Sequence, residues 1–196
     1  MKDQVWIRKV ILIAICVSIS ACLQVFADHF IYWRPNLLGE FWRLWTAHWV
    51  HVGWVHFLLN MMAFACLPFI FPHVRNWHLW ALLLILPPFI SLIFYLYLPY
   101  IDAYAGLSGV LHGLYTAVGL VYLKYKSERK FAILVLSLIA VKLAWENTFG
   151  QTGTAQLIGS PVLTEAHLIG AIGGVLCGLG YLVLKRFKTW KLRKTL

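Results

Sequence analysis

Apolar residues in this chain fall into long runs separated by short polar clusters, with no two-residue alternation. The runs cover roughly Val10 to Ala27, Trp54 to Phe71, Trp77 to Leu98, Leu107 to Leu123, Phe131 to Trp145 and Ala166 to Leu184. Each is near the ~20 residues a helix needs to cross a ~30 Å hydrocarbon core. Continuous runs predict helices and do not fit a transmembrane barrel. The expected fold is all-α and polytopic, six transmembrane helices in a single domain spanning residues 1–196.

Charge orients these helices. Lys and Arg number 17 against 7 Asp and Glu. Most flank alternate ends of the runs: Lys2, Arg8 and Lys9 before the first, Arg75 between the second and third, Lys124 to Lys130 between the fourth and fifth, and Lys185 to Lys194 after the sixth. The positive-inside rule then puts both termini in the cytoplasm, which requires an even number of spans. Basic residues at helix ends meet anionic headgroups, so the net charge of +10 points to the lipid bilayer and away from nucleic acid. The start of the chain, ending Ile19-Ser20-Ala21-Cys22, also resembles a lipoprotein signal peptide, but the apolar run continues through Leu23, Val25 and Phe26 as a retained span does. Cys16, Cys22, Cys66 and Cys177 fall inside runs without CxxC spacing and read as buried thiols of the helical core.

The connections differ in character. Between the first two runs, Trp33, Arg34, Phe41, Trp42, Arg43 and Trp45 favour a segment lying along the outer leaflet. The connection from Glu146 to Glu165 contains four Gly and Pro residues and is expected to be a mobile outside loop. Lys142 and Glu146, four apart at the outer end of the fifth helix, read as a snorkelling pair at the interface, with the lining of a substrate gate beside the mobile loop as the alternative. Pro87 and Pro88 should bend the third helix.

In this topology the second, fourth and sixth helices all begin outside, so their N-terminal halves share one depth. Into that outer third fall His51, His56, Asn60, Ser108, His112 and His167. Polar groups inside a bilayer are costly and face the bundle interior. Ser108, in Gly106-Leu107-Ser108-Gly109, begins a helix, where free amides and the dipole favour developing negative charge. Gly109 and Gly113 on the fourth helix, and Gly170, Gly174 and Gly178 on the sixth, form small-residue stripes that let the two backbones approach closely. Ser108 and His167 would then meet as nucleophile and general base. His56 and Asn60 share a helical face as paired donors for an oxyanion, and Gly106 is assigned with them to the oxyanion and substrate-binding region. His51 lies off that face and reads as loop-anchoring. His112, at i+4 from Ser108, is a second candidate base; approach from a neighbouring helix favours His167.

These motifs, in this order, resemble the rhomboid family over most of the chain. Its outer-loop Trp-Arg stands as Trp42-Arg43, its His-x4-His-x3-Asn as His51, His56 and Asn60, its Gly-x-Ser-Gly as Gly106 to Gly109, and its Ala-His-x2-Gly-x3-Gly as Ala166 to Gly174. The resemblance implies a six-helix rhomboid-like bundle in which a Ser108–His167 dyad, without a third acid, cleaves membrane-anchored protein substrates, with Trp42, Arg43, His51 and His112 in support. It further implies a multi-pass protein of a bacterial inner membrane, with the site opening to the extracytoplasmic side. His112, where many rhomboids carry a tyrosine, looks like the rhombosortase branch, which implies secreted substrates ending in Gly-Gly, a hydrophobic helix and a basic tail. The alternative is a catalytically inactive rhomboid-like protein that binds membrane clients. A haem or metal carrier built on the eight histidines leaves the Ser-Gly motif unexplained and lacks HExxH, so no metal or cofactor is expected.

Overall fold

The protein is described by a computed structural model covering residues 2–150 and 152–194. Its long helices are α1 (Lys2–Gln24), α3 (Trp54–Ile70), α4 (Asn76–Tyr97), α5 (Ser108–Tyr122), α6 (Arg129–Phe149) and α8 (Thr164–Lys194), with the short helices α2 (Arg43–Thr46) and α7 (Thr152–Ile158) between them. Strands β1 (Tyr32–Trp33) and β2 (Ala103–Tyr104) pair antiparallel. Among the described residues, four helices are long and apolar enough to cross a membrane: Gln4–Gln24, Asn76–Tyr97, Arg129–Phe149 and Thr164–Phe187. Trp54–Ile70 is apolar but shorter. The chain is an all-α, multi-pass membrane protein.

Helix α5 occupies the centre. Ten of its 15 residues are buried, and at ~1.5 Å per residue it is only about 22 Å long against a ~30 Å core. A helix wrapped by others has no need to reach both interfaces, so its first residue, Ser108, can begin below the surface. α5 meets α8 backbone to backbone. A Cβ on Gly170 would lie 1.9 Å from the Gly109 carbonyl oxygen, and one on Gly174 2.3 Å from that of Gly113. In the other direction, Cβ atoms on Gly109 and Gly113 would come within 2.7 and 2.6 Å of the Ala166 and Gly170 oxygens. Gly178 is looser, 3.1 Å from the Ala117 oxygen.

Backbone carbonyls freed by proline find side-chain donors, as an apolar solvent demands. Pro88 cannot donate to the Leu84 carbonyl; Trp45 Nε1 does so instead at 2.9 Å, and α4 runs unbroken through both prolines. Pro72 likewise leaves the Pro68 carbonyl free, and Lys9 Nζ donates to it at 3.1 Å and to the Pro72 carbonyl at 2.5 Å. Lys9, expected to precede the first span, is therefore a buried residue inside α1, only 2% exposed.

The segment between α1 and α3 folds into a compact cap. Arg43 is buried, donates to the Ile31 carbonyl at 2.7 Å and pairs with Glu40. Arg34 caps the end of α4 through the Phe94 and Tyr95 carbonyls. Through the Tyr32–Tyr104 pairing this cap also grips the strand just before Ser108.

Three other expectations change. The connection after α6 is no open loop: α6 continues to Phe149, Gly150 ends it at a φ of +76°, and α7 follows. The basic cluster after the last span continues α8 rather than ending it. Of the cysteines only Cys16 is buried, while Cys22 and Cys66 lie on the outer surface of the bundle.

A methyl group on Gly170 must push the two backbones apart, so Gly170→Ala should lower stability by at least the ~1–3 kcal/mol of an overpacked core. Gly180, with nothing within 4 Å of its virtual Cβ, should accept Ala with no loss. Thermal unfolding of both variants in detergent checks this, and equal midpoints would refute the close contact.

Candidate active site

Ser108 is the first residue of α5, directly after a tight turn. Gly106 makes that turn at a φ of +143°, and a Cβ there would also strike the His56 ring at 2.8 Å, so both backbone and space require glycine. The turn is pinned on both sides. The Gly106 N–H donates to the Ala47 carbonyl at 3.0 Å, and the Tyr104 hydroxyl donates to the Gly106 carbonyl at 2.6 Å. Burial pushes the Tyr104 phenol up to about 12, so it stays a donor. The amides at the start of α5 have no carbonyl one turn earlier to bond.

The glycine contact brings the start of α8 alongside. His167 Nε2 lies 2.9 Å from Ser108 Oγ, and His167 is only 3% exposed. On the far side of the ring, Nδ1 lies 2.7 Å from Glu146 Oε2, while Lys142 Nζ pairs with Glu146 Oε1. A carboxylate can only accept, so the proton sits on Nδ1 and the Nε2 lone pair faces the serine hydroxyl. This is the tautomer a general base needs.

His112 stacks on His167 with ring centroids 4.2 Å apart and planes 17° from parallel. Its Nδ1 donates to the Ser108 carbonyl at 2.8 Å, so it braces the turn and the His167 ring rather than reaching the hydroxyl. His112, Glu146 and His167 each offer a ligand atom, all within 4.8 Å of one another. Both His167 nitrogens are already hydrogen-bonded, and the rings stack instead of converging on a point.

Two further side chains lining the same hollow as the serine carry unpartnered polar atoms. Asn60 Nδ2 and His56 Nδ1 are buried without a protein partner. A cavity of about 270 Å³ is lined by His56, Asn60, Ser108, His112, Lys142 and His167, among others. A second, of about 490 Å³, reaches Ser108 and His56 from the side of Asp28, His51 and Pro161. Ser108 therefore lies between two hollows.

A rhomboid domain matches residues 38–185, which contain every side chain of this cluster. The chain belongs to the rhomboid family. No curated protein matches it closely enough to count as a relative. Rhomboids are in general intramembrane serine proteases, although inactive forms exist.

In this rhomboid, Ser108, His167, His56, Asn60, Gly106 and His112 lie around one point. His51 is held through its backbone, which exchanges hydrogen bonds with Gln24, and its ring meets His56 edge-on at 5.0 Å. Burial pushes the His51 ring down to about 3, so it is neutral. Trp42 and Arg43 stand apart, tying the cap together through the His29 and Ile31 carbonyls. Glu146 is the residue that sequence reasoning missed. It was expected in a surface ion pair, and the resemblance implied no third acid, yet its side chain is 2% exposed and rests on His167. The signal in the sequence is an acid continuing the apolar run of α6, one turn beyond Lys142.

We expect a fluorophosphonate to label Ser108 of the intact protein. His167→Ala should suppress labelling by roughly 10²- to 10⁴-fold, the usual worth of a positioned base, whereas His112→Tyr should retain it. Folded proteins showing the reverse would make His112 the base.

Proposed function

We propose that this rhomboid is an intramembrane serine endopeptidase acting on membrane-anchored protein substrates. The observation that carries the reading is Ser108 Oγ at 2.9 Å from His167 Nε2 at the half-buried start of a helix. Ser108 gives its proton to His167 as its oxygen attacks the scissile carbonyl. The resulting oxyanion is met by the free amides at the head of α5 and by His56 and Asn60. His167 returns the proton to the departing amine, and water then cleaves the acyl-enzyme by the same steps in reverse order.

The topology proposed for it is six spans in one domain, with α3 and α5 as the two shorter ones and both termini cytoplasmic. The cavities at the heads of α5 and α8 then open to the extracytoplasmic side of a bacterial inner membrane. His112 in the place of tyrosine supports the rhombosortase branch, and with it substrates carrying a C-terminal Gly-Gly, helix and basic tail. The assay is cleavage of such a reporter by the full chain in proteoliposomes.

Ser108→Ala is expected to abolish cleavage while unfolding at the wild-type temperature, since loss of one hydroxyl opens no large cavity. Cleavage by that variant would overturn the assignment; a wild type that binds the reporter but neither cuts nor labels would be an inactive client-binding form. His56→Ala and Asn60→Ala should each lower kcat roughly 10- to 1000-fold yet still be labelled. Unchanged kcat in both would remove them from the oxyanion site.

A further inference from the structure

We infer that Glu146 is a positioning residue for the reaction, the third member of a Ser108–His167–Glu146 relay. The inference rests on the protease reading of the site and adds an acid to it. Helix α6 keeps most of its surface outward; its buried residues are Ala132 and Glu146. An ionised carboxylate turned into a membrane bundle is costly, so its position calls for more than helix packing. Its two oxygens take different partners: Oε1 pairs with Lys142, which is 46% exposed and lines the smaller cavity, and Oε2 accepts from His167 Nδ1 at 2.7 Å.

That arrangement has a chemical consequence. The Oε2 contact fixes the ring plane and holds the proton on Nδ1, leaving Nε2 as the acceptor of the Ser108 proton. As the Oγ–H bond breaks and the Nε2–H bond forms, the ring becomes an imidazolium. The adjacent carboxylate stabilises it and stays ionised. His112, stacked on one face of the same ring, limits its tilt. The ring is therefore constrained at its edge by Glu146 and on its face by His112.

The alternative is a purely structural Lys142–Glu146 ion pair that docks α6 onto α8. Turnover of the reporter separates the two. Glu146→Gln keeps the shape and loses the charge; kcat is expected to fall roughly 10²- to 10⁴-fold with KM within about threefold, as for an interaction made in the transition state. Glu146→Asp should recover at least about tenfold of that loss. Lys142→Gln, which breaks the ion pair but leaves the carboxylate on His167, should stay within about tenfold of wild type. Wild-type kcat in a folded Glu146→Gln variant, or equal losses in the Gln variants of Glu146 and Lys142, would overturn the inference. Should Glu146→Gln unfold, proton NMR of the wild type decides: a strongly deshielded imidazole N–H that disappears in His167→Ala is expected, and its absence overturns the relay. Ser108→Ala in the same assay keeps the two levels apart. If it still cleaves, the protease reading has failed; if it is dead while Glu146→Gln is normal, only the role of Glu146 has.

Discussion

The α5–α8 contact sets the separation on which the site depends. Two helices normally pack with axes 8 to 10 Å apart, held off by side chains. Here the facing positions are Gly109 and Gly113 on one helix and Gly170 and Gly174 on the other, and carbonyl oxygens stand where Cβ atoms would be. Without that approach the heads of the two helices could not bring Oγ of Ser108 to hydrogen-bond distance from a histidine at the start of α8. The contact uses dispersion and close fit, the forces left to helix association when lipid is as apolar as the helices.

Around this seam the protein satisfies polar groups with care. Carbonyls released by Pro72 and Pro88 are taken up by Lys9 and Trp45, and the carbonyls ending α4 by Arg34. The buried donors and acceptors without a protein partner include others elsewhere, but His51, His56 and Asn60 gather four such atoms near Ser108. Unpaired donors are expensive to bury. Under the proposed protease reading, such groups are what an oxyanion would be met by, so their cost would be the cost of the function.

The short central helix adds the remaining condition. Because α5 is enclosed by neighbours, it can start below the interface, and the cap between α1 and α3 covers the approach. β1 grips β2, Ala47 holds Gly106, and Tyr104 fixes the carbonyl beside it. The serine is thus held from the loop side by hydrogen bonds and from the helix side by packing, which fixes its position closely.

Length and polarity alone locate the helices, since an apolar run of bilayer length has one stable form in lipid. The same periodicity places Ser108, His112 and His167 at one depth, and the glycine stripes identify which helices touch. Helix ends are less legible: a charge usually marks the end of a span, so the sequence places Lys9 and Glu146 at polar margins, yet both lie inside helices and buried against neighbours. Whether a charged residue meets water or a partner depends on what packs beside it, and that is a property of three-dimensional neighbours far apart in the chain. For the same reason α7 was hidden in a glycine-rich stretch, and the proline pair of α4 gave no hint that Trp45 would supply the missing bond. The chain's local chemistry specified the helices and their polar groups; the approach of His167 to Ser108 came from the packing of α5 against α8, and the carboxylate behind His167 from that of α6.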